Sequence, residues 1–414
     1  MKAEIITIGD EILIGQTIDT NSAWIGEELN KIGVEINRIT SIQDVPEEIS
    51  KATDEAFERV DLVLMTGGLG PTLDDKTKKT LTAYFKDELV MNEEVLETIE
   101  NYFTSRGLPI LEMNRQQAML PSRAQIVRNH KGSASGMWFE RNGGVLLAMP
   151  GVPGEMKHIL QNGGLRKIQD HFVTLPVYHR TILTNGAGES FMSNMVKDWE
   201  EALEGEGISL AYLPSPGLVR IRLTARGEDA KAIKIKVDEK AAELKELLSE
   251  YVFGEDKETL EGIVGDLLKA KRMTLATAES CTGGYIAHKL TSVPGSSAYY
   301  EGSFITYSYD LKSAMLGVNR DVILEKGAVS EEVVLQMAKG VQEGMNVDYA
   351  IAVSGIAGPE GGTEDKPVGT VWMALATPKG TEAKKFQFGR NRLANIRMTA
   401  LSALNWLRKE LLAS

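Results

Sequence analysis

The chain is poor in the residues that build covalent cross-links and transition-metal centres. Among 414 residues there is one cysteine, Cys281, and there are five histidines: His130, His158, His171, His179 and His288. A single cysteine excludes an intrachain disulfide framework and any multi-cysteine zinc or iron–sulfur site. The histidines are scattered and show no HExxH or similar spacing. Long apolar runs are also missing. No stretch approaches the roughly 20 apolar residues that span a bilayer. The N-terminal run of MKAEIITIGDE stops at Asp10, too soon for a signal peptide, so the expected location is cytoplasmic with no membrane partner. Positive charge is in deficit, with 46 Lys+Arg against 58 Asp+Glu and a net charge of −12. That balance argues against bulk binding to nucleic acid or anionic membrane, while leaving room for a local basic pocket. There is no internal repeat, no low-complexity tract, and no GxxxxGK followed by Ser or Thr.

What is present is an ordinary globular composition, 43% hydrophobic and 25% charged. At roughly 150 residues per domain the length implies two to three domains. Residues 3–9, 34–39 and 61–66 read as strands. Between them lie a helix with the stripe Ile25, Leu29 and Ile32, and one that Pro46 opens with Ile49, Ala52, Ala56, Phe57 and Val60 on one face. This βαβαβ order, with a further strand at 144–149, predicts a mostly parallel sheet covered by helices. Ligands of such sheets bind beyond the C-terminal strand ends, where the loops at Gly9 and Gly67 leave. This domain is expected over residues 1–170. Residues 171–253 differ, with VYHRTIL and LVRIRLT as strands and helices from about Glu189 and across 228–250. They predict a small α+β domain followed by the polar linker FGEDKE (253–258). From 254 to 414 the βα alternation resumes. MTLATA, SFITY, DYAIAVS and GTVWMALAT are strands, Ser330 caps a helix, and the last helix carries Leu393, Ile396, Ala400, Leu404, Leu407 and Leu411. The expected class is α/β: two βα-layered domains with mainly parallel sheets, joined by a small α+β domain.

The sharpest chemical signal is ATAESCTGGYIA (276–287). A strand ends, a polar turn follows, and glycines open a helix, which places Ser280, Cys281, Thr282 and Gly283 near unpaired helix amides that favour an anion or a developing oxyanion. Ser280 is a candidate nucleophile; a plain helix cap is the commoner role for such a serine. Cys281 is the rival nucleophile, since a thiolate in such a place is reactive. A serine needs a base. His288 is expected to face away, whereas Lys312 serves if burial keeps it partly neutral, with Tyr307 shortly before it. Ser354, Gly355, Gly358, Gly361 and Gly362, in SGIAGPEGG after a strand end, could hold a phosphate or ribose, and Arg390 and Arg392 are candidate phosphate ligands. In the first domain TGGLGPTLDDKT (66–77) pairs an anion cradle, Gly67, Gly68, Gly70 and Thr72, with Asp74 and Asp75, carboxylates suited to Mg²⁺ or a similar hard cation bridging a diphosphate. Asp10, Glu11, Asp19 and Asn21 lie near another strand end, and Glu155 follows PGVPG.

Together these motifs resemble the competence/damage-inducible CinA family over essentially the whole chain. GDEILIGQTIDTN, TGGLGPTLDD and MPGVPGE resemble the molybdopterin-binding MoaB/MogA fold, and the middle segment resembles a KH-type insert. AESCTGG, GSSAYYEGSFITYS, VSGIAGPEGG and KPVGTVW resemble nicotinamide mononucleotide (NMN) deamidases. The resemblance implies hydrolysis of the NMN carboxamide to nicotinate mononucleotide and ammonia, without a cofactor. Ser280 would be the nucleophile, Tyr307 and Lys312 would assist, and the amides of residues 281–283 would hold the oxyanion. The serine of GSSA maps to Ser296 or Ser297, and the phosphate would sit in the glycine loop or near Arg390. For the N-terminal domain the resemblance implies an ADP-ribose pyrophosphatase using Mg²⁺, Mn²⁺ or Co²⁺ at Asp74 and Asp75, or else a domain that only binds a nucleotide or a molybdopterin-like ligand. It also implies a homodimer. GAGES (186–190) is no basic GxxG clamp, and Asp198, Glu200 and Glu201 lie nearby. The middle domain is therefore expected to be a spacer or dimerisation element and not a nucleic-acid binder.

Overall fold

The computed structural model describes residues 1–72 and 74–414. The chain divides into two compact units, one of Met1–Tyr178 with Arg226–Ile233 and one of His179–Ala225 with Lys234–Ser414.

The strands of the first unit are β1 (Lys2–Ile8), β2 (Glu35–Ile42), β3 (Leu62–Thr66), β4 (Leu89–Met91), β5 (Met119–Pro121), β6 (Gln125–Val127), β7 (Gly136–Arg141) and β8 (Gly144–Met149). Six of them form a sheet in the order β2-β1-β3-β8-β7-β6, parallel through β2, β1, β3 and β8 and antiparallel at β7 and β6. β3 and β8 are buried along their whole length, as expected where helices cover both faces. Their side chains alternate between two cores: Ile6, Val63 and Leu146 pack on one face and Ile5, Leu64 and Leu147 on the other. The small β4–β5 pair has no counterpart in the sequence reading. Its strands have three residues each and meet across about thirty intervening residues, so no local alternation marks them.

The second unit begins with β9 (Val177–Thr184), β10 (Ile208–Ser215), β11 (Leu218–Arg226) and β12 (Val252–Glu255), in the sheet order β10-β11-β9-β12. β11 alternates strictly, burying Val219, Ile221, Leu223 and Ala225, and the helix Ala230–Leu247 buries Val237, Ala241 and Leu244. The expected linker FGEDKE needs correction. Its first three residues belong to β12, which pairs antiparallel with β9. An edge strand tolerates a polar run because only one face is covered, here by Phe253. Leu183 and Phe253 enter the same core as Leu260, Val264 and Leu401, which is why the small α+β module coheres with the C-terminal domain.

That domain is built on β13 (Leu275–Glu279), β14 (Tyr300–Ile305), β15 (Tyr349–Gly355), β16 (Thr370–Thr377) and β17 (Gly380–Gln387), in the order β14-β13-β15-β16-β17. β14, β13 and β15 are parallel, while β16 and β17 are antiparallel additions. The switch follows from connection type: β15 and β16 are joined by a loop, not by a crossover helix. One face carries alanines, Ala276, Ala278, Ala350, Ala352, Ala374 and Ala376, which let the helix Glu331–Met345 approach closely. The other carries Leu275, Ile351 and Met373 against the helix Arg392–Ala413, whose Ala400, Leu404, Leu407 and Leu411 are buried as expected, whereas Leu393, in the helix's first turn, is exposed and Ile396 only half-buried. Among the described residues no helix is long and apolar enough to cross a membrane.

One buried carboxylate ties the first sheet together. Glu4 of β1 is 1% exposed and accepts from Arg59 Nε and Arg59 Nη2 at 2.8 Å each and from Asn37 Nδ2 at 2.7 Å. Burial alone would raise its proton affinity, but the bonds from Arg59 and Asn37 and the Arg59 charge hold the carboxyl below its ordinary value. A depressed carboxylate contributes stability above its unfolded value, near 4.5, that is lost as pH falls through the folded value. We therefore expect Glu4→Ala to lower unfolding stability by about 1–3 kcal/mol at pH 7. The loss should shrink in urea titrations repeated below pH 4.

Candidate active sites

The C-terminal candidate site is made where two parallel strands end side by side. The Thr306 amide donates to Glu279 O at 2.9 Å, and the Ser280 amide donates to Val353 O of β15 at 3.1 Å. Ser308 then caps the helix Tyr309–Leu316, accepting from the Leu311 amide at 3.2 Å, and that helix turns Lys312 inward. Lys312 Nζ donates to Ser280 Oγ at 3.0 Å and to Thr306 O at 2.6 Å. The lysine is 1% exposed and Ser280 is 9% exposed. Burial lowers the ammonium's pKa to about 8. A neutral amine held by the Thr306 carbonyl keeps its lone pair for the serine hydroxyl proton.

Several expectations are redrawn around this pair. Ser280, Cys281 and Thr282 lie in a turn, and the helix itself begins at Tyr285. The turn is organised by Glu279, a fully buried carboxylate that the sequence reading passed over. Its Oε2 accepts from Thr282 Oγ1 at 2.6 Å, the Gly284 amide at 3.0 Å and the Ile286 amide at 3.1 Å, and its Oε1 accepts from the Ala287 amide at 2.8 Å. The available signal was an acid ending the otherwise apolar strand LATAE, since a buried charge requires partners. Gly284 has φ +97°, and a Cβ there would stand 2.9 Å from Ile305 Cδ1, so the turn requires glycine. The helix amides and the Thr282 hydroxyl are thus committed to Glu279, and the Gly283 amide donates to Ser280 O at 3.1 Å. The expected oxyanion donors at residues 281–283 reduce to the amides of Cys281 and Thr282, which meet no other residue's acceptor among the described residues.

Cys281 is buried, and burial pushes its thiol up to about 12, which disfavours the thiolate a nucleophile needs. Tyr307 is 61% exposed and its hydroxyl accepts from Arg392 Nη2 at 3.2 Å. It does not stand between Lys312 and Ser280, which meet directly. Arg392 also donates to Gly358 O at 2.8 Å, which ties Tyr307 to the glycine loop, whereas Arg390 is exposed. Asn395 supports that loop by donating to Ala357 O and Gly389 O. Gly355 ends β15 and Gly358 and Gly361 follow in the loop, but the Ser354 hydroxyl points away from it, to Ala328 O at 2.7 Å. Ser296 and Ser297 precede β14, at the end of that strand opposite Lys312. The structure does not bring them to Ser280 within one chain, because the parallel register pairs Leu275 with Tyr300 and Glu279 with Ile305. His288 is exposed on its helix.

In the first unit the loop after β3 forms around Asp75, which accepts from the Gly70 amide at 2.8 Å and the Thr72 amide at 3.0 Å. Gly67 has φ +118°, and a Cβ there would stand 2.1 Å from Ile8 O, so no other residue fits. Asp44, just beyond β2, joins this loop by accepting from the Lys76 amide at 3.2 Å and lies against Gly68. Burial, reinforced by the charges of Asp75 and Asp74, raises its carboxyl to about 6 despite the Lys76 contacts. Sequence reasoning missed Asp44, which stands 30 residues from Asp74. Asp74 itself is exposed, and a bond from Thr72 lowers its carboxyl. Beside the loop lies a cavity of about 430 Å³ whose lining includes Gly70, Thr72, Asp75, Lys78, Lys79 and Gln117. Burial brings Lys78 down to about 8. Asp19 instead caps the helix Thr20–Lys31 through the Ser22 amide, Asn21 donates to Gly151 O at 2.8 Å, and Glu155 accepts from Asn129 at 2.6 Å. Asp10 and Glu11 are exposed in the short helix Asp10–Leu13. None of these five lines the cavity.

Among the described residues no group of three or more His, Cys, Asp or Glu side chains could hold a metal by itself. A hard cation completed by substrate phosphates and water needs only one or two carboxylates. Asp74 and Asp75 fall within that number, and a cation beside them would also relieve the part of the rise at Asp44 that their charges add to burial. The turn of the other site has a direct test. Glu279→Ala strands three amides and a hydroxyl, each worth about 1–3 kcal/mol when left unsatisfied in the interior. Allowing for water entry, we expect a loss of about 3 kcal/mol or more in urea unfolding; a change below about 0.5 kcal/mol would show that the turn holds without it.

Comparison with known families agrees with this architecture. The model described as "Probable molybdopterin binding domain" matches residues 4–169. The damage-inducible protein CinA KH domain matches 179–254, and the CinA C-terminal domain matches 257–411. The chain is 47% identical to a CinA-like protein of Cytophaga hutchinsonii over 409 residues, covering 99% of this chain and 98% of that one. It is 44% identical to a CinA-like protein of Flavobacterium psychrophilum, covering 100% and 99%. A CinA-like protein of Salinibacter ruber is 40% identical, covering 99% and 100%. With likeness extending through all three segments in order, the chain belongs to the CinA family.

Proposed function

We propose that the C-terminal domain hydrolyses the carboxamide of NMN to nicotinate mononucleotide and ammonia. The observation that carries this reading is the buried Lys312 Nζ, 3.0 Å from Ser280 Oγ and lowered to about 8. Neutral Lys312 takes the hydroxyl proton as Ser280 Oγ bonds to the amide carbon. The carbonyl electron pair moves onto oxygen, which the amides of Cys281 and Thr282 receive. Lys312 returns its proton to the nitrogen, the C–N bond breaks, and ammonia leaves an acyl-serine. Water, deprotonated by the same amine, attacks the ester carbon and releases the acid. Tyr307 and Arg392, joined at 3.2 Å, and the loop from Gly355 to Gly362 supply a donor-rich rim for the ribose phosphate, with Arg390 further out.

For the N-terminal domain we propose a metal-dependent ADP-ribose pyrophosphatase that releases AMP and ribose 5-phosphate. Asp74 and Asp75, with Asp44 nearby, would hold Mg²⁺, Mn²⁺ or Co²⁺ together with substrate phosphates and water, and such an ion, when bound, neutralises charge developing on a diphosphate. Lys78 and Lys79 line the neighbouring cavity, where they can meet phosphate oxygens. The alternative, a domain that binds a nucleotide or molybdopterin-like ligand without cleaving it, draws support from Asp75, whose two carboxylate oxygens already order the loop.

Ser280→Ala and Lys312→Met should each lower ammonia release from NMN by about 10²–10⁴-fold. Cys281→Ala should stay within a few-fold of wild type, and the reverse ranking would assign the cysteine. With Lys312 near 8, about a tenth of it is neutral at pH 7, so kcat should climb about tenfold between pH 6 and 7 and level off above pH 8. A flat profile across that range would remove Lys312 as the base. For the other head, incubation with ADP-ribose and Mg²⁺, Mn²⁺ or Co²⁺ should yield AMP that EDTA abolishes. Retained binding with no AMP would establish the binder.

A further inference from the structure

Outside both candidate sites the second unit carries a cleft of about 350 Å³ where the middle sheet meets the C-terminal domain. Its floor is apolar, from Leu183, Phe253, Leu260 and Leu401, and its walls carry four cations: Arg220 of β11, Lys257 of the connection after β12, Lys289 of the helix Tyr285–Thr291 and Arg397 of the last helix. Lys289 is paired with Glu261 at 2.5 Å. The side chains of Arg220, Lys257 and Arg397 make no ion pair or hydrogen bond among the described residues, and Arg220 and Lys257 are exposed. The carboxylates of the cleft are already engaged. Asp256 is bound by Arg180 Nη1 at 2.8 Å and by the Thr181 amide at 2.9 Å, Glu261 holds Lys289, and Glu258 accepts from the Glu255 amide at 2.7 Å.

Three unpaired cations from three separate segments thus gather around one apolar floor. An anion placed among them would be attracted by all three. Guanidinium forks match phosphate oxygens best. The half-buried Tyr285 ring lies in the same lining and offers a flat apolar face. The volume is near the lower end of small-ligand pockets, about 300–1,000 Å³, which suits a mononucleotide better than a dinucleotide.

We propose that this cleft binds a small phosphorylated ligand with a flat ring, of the nucleoside monophosphate class, its phosphate among Arg220, Lys257 and Arg397 and its ring against Tyr285. The helix bearing Tyr285 follows the Ser280 turn, and the helix bearing Arg397 begins at Arg392. The ligand would thus share walls with the deamidase site. The proposal concerns binding alone and does not depend on either proposed reaction.

Equilibrium dialysis of the full chain against labelled AMP, in EDTA and at near-physiological salt, counts sites per chain. The two candidate active sites can also take AMP, so the decisive comparison is wild type against Arg220→Gln/Arg397→Gln. The variant should lose one AMP site per chain or weaken it at least tenfold. Millimolar inorganic phosphate should compete for that site, and adenosine should not. Circular dichroism and an unchanged thermal midpoint verify the variant's fold. If it unfolds, Lys257→Gln, at an exposed position, should still weaken the site several-fold. Equal site number and affinity in wild type and folded variants would overturn the proposal, as would a wild type that binds no AMP. AMP held no more tightly than inorganic phosphate would overturn the ring contact.

Discussion

The C-terminal candidate site depends on one buried carboxylate. Glu279 closes an apolar strand and receives three amides and a hydroxyl from the turn that follows. Without it the turn would hold several unsatisfied donors at the bottom of a packed sheet. With it, the amides of Cys281 and Thr282 are the ones left over, and Ser280 is fixed beside the neighbouring strand's exit. A cap residue usually accepts from one or two amides. Here one carboxylate accepts from four donors.

Burial acts on the two candidate nucleophile systems in opposite senses. It disfavours the charged form of any group. For Lys312 the charged form is the useless one for accepting a proton, so exclusion of water makes the residue a base. For Cys281 the charged form is the reactive one, so the same environment silences the thiol. One dry pocket thereby favours the serine over its neighbouring cysteine as the candidate nucleophile.

The N-terminal loop shows a different economy of charge. Asp75 shapes the backbone, Asp44 comes from another strand end and is pressed toward its neutral form, and Asp74 faces water. Carboxylates gathered without enough cations are a strained arrangement, and Lys78 and Lys79 lie across the adjoining cavity. The likeness to molybdopterin-binding domains fixes the scaffold here, while the reaction rests on which ligand these charges receive.

Much was legible from residue order. The βα alternation, the alternating strand LVRIRLT and the stripe on the last helix reflect periods of 2 and 3.6 that water enforces locally. The motifs around Ser280, Lys312 and the glycine loops follow from residue types that turns and strand ends require. Short edge strands such as β4 and β12 were not legible, because their pairing is set by distant partners. Neither was the use of each side chain. Only the folded chain decided that Lys312 meets Ser280 directly, that Tyr307 turns to Arg392, that Ser296 and Ser297 lie at the far end of a strand, and that Asp44 joins Asp75. The sequence by itself determined which elements form and which reactive groups stand at their ends. The tertiary structure alone decided which of those groups touch and which lose water, because contact and desolvation between residues distant in the chain exist only after the sheet's register has been set.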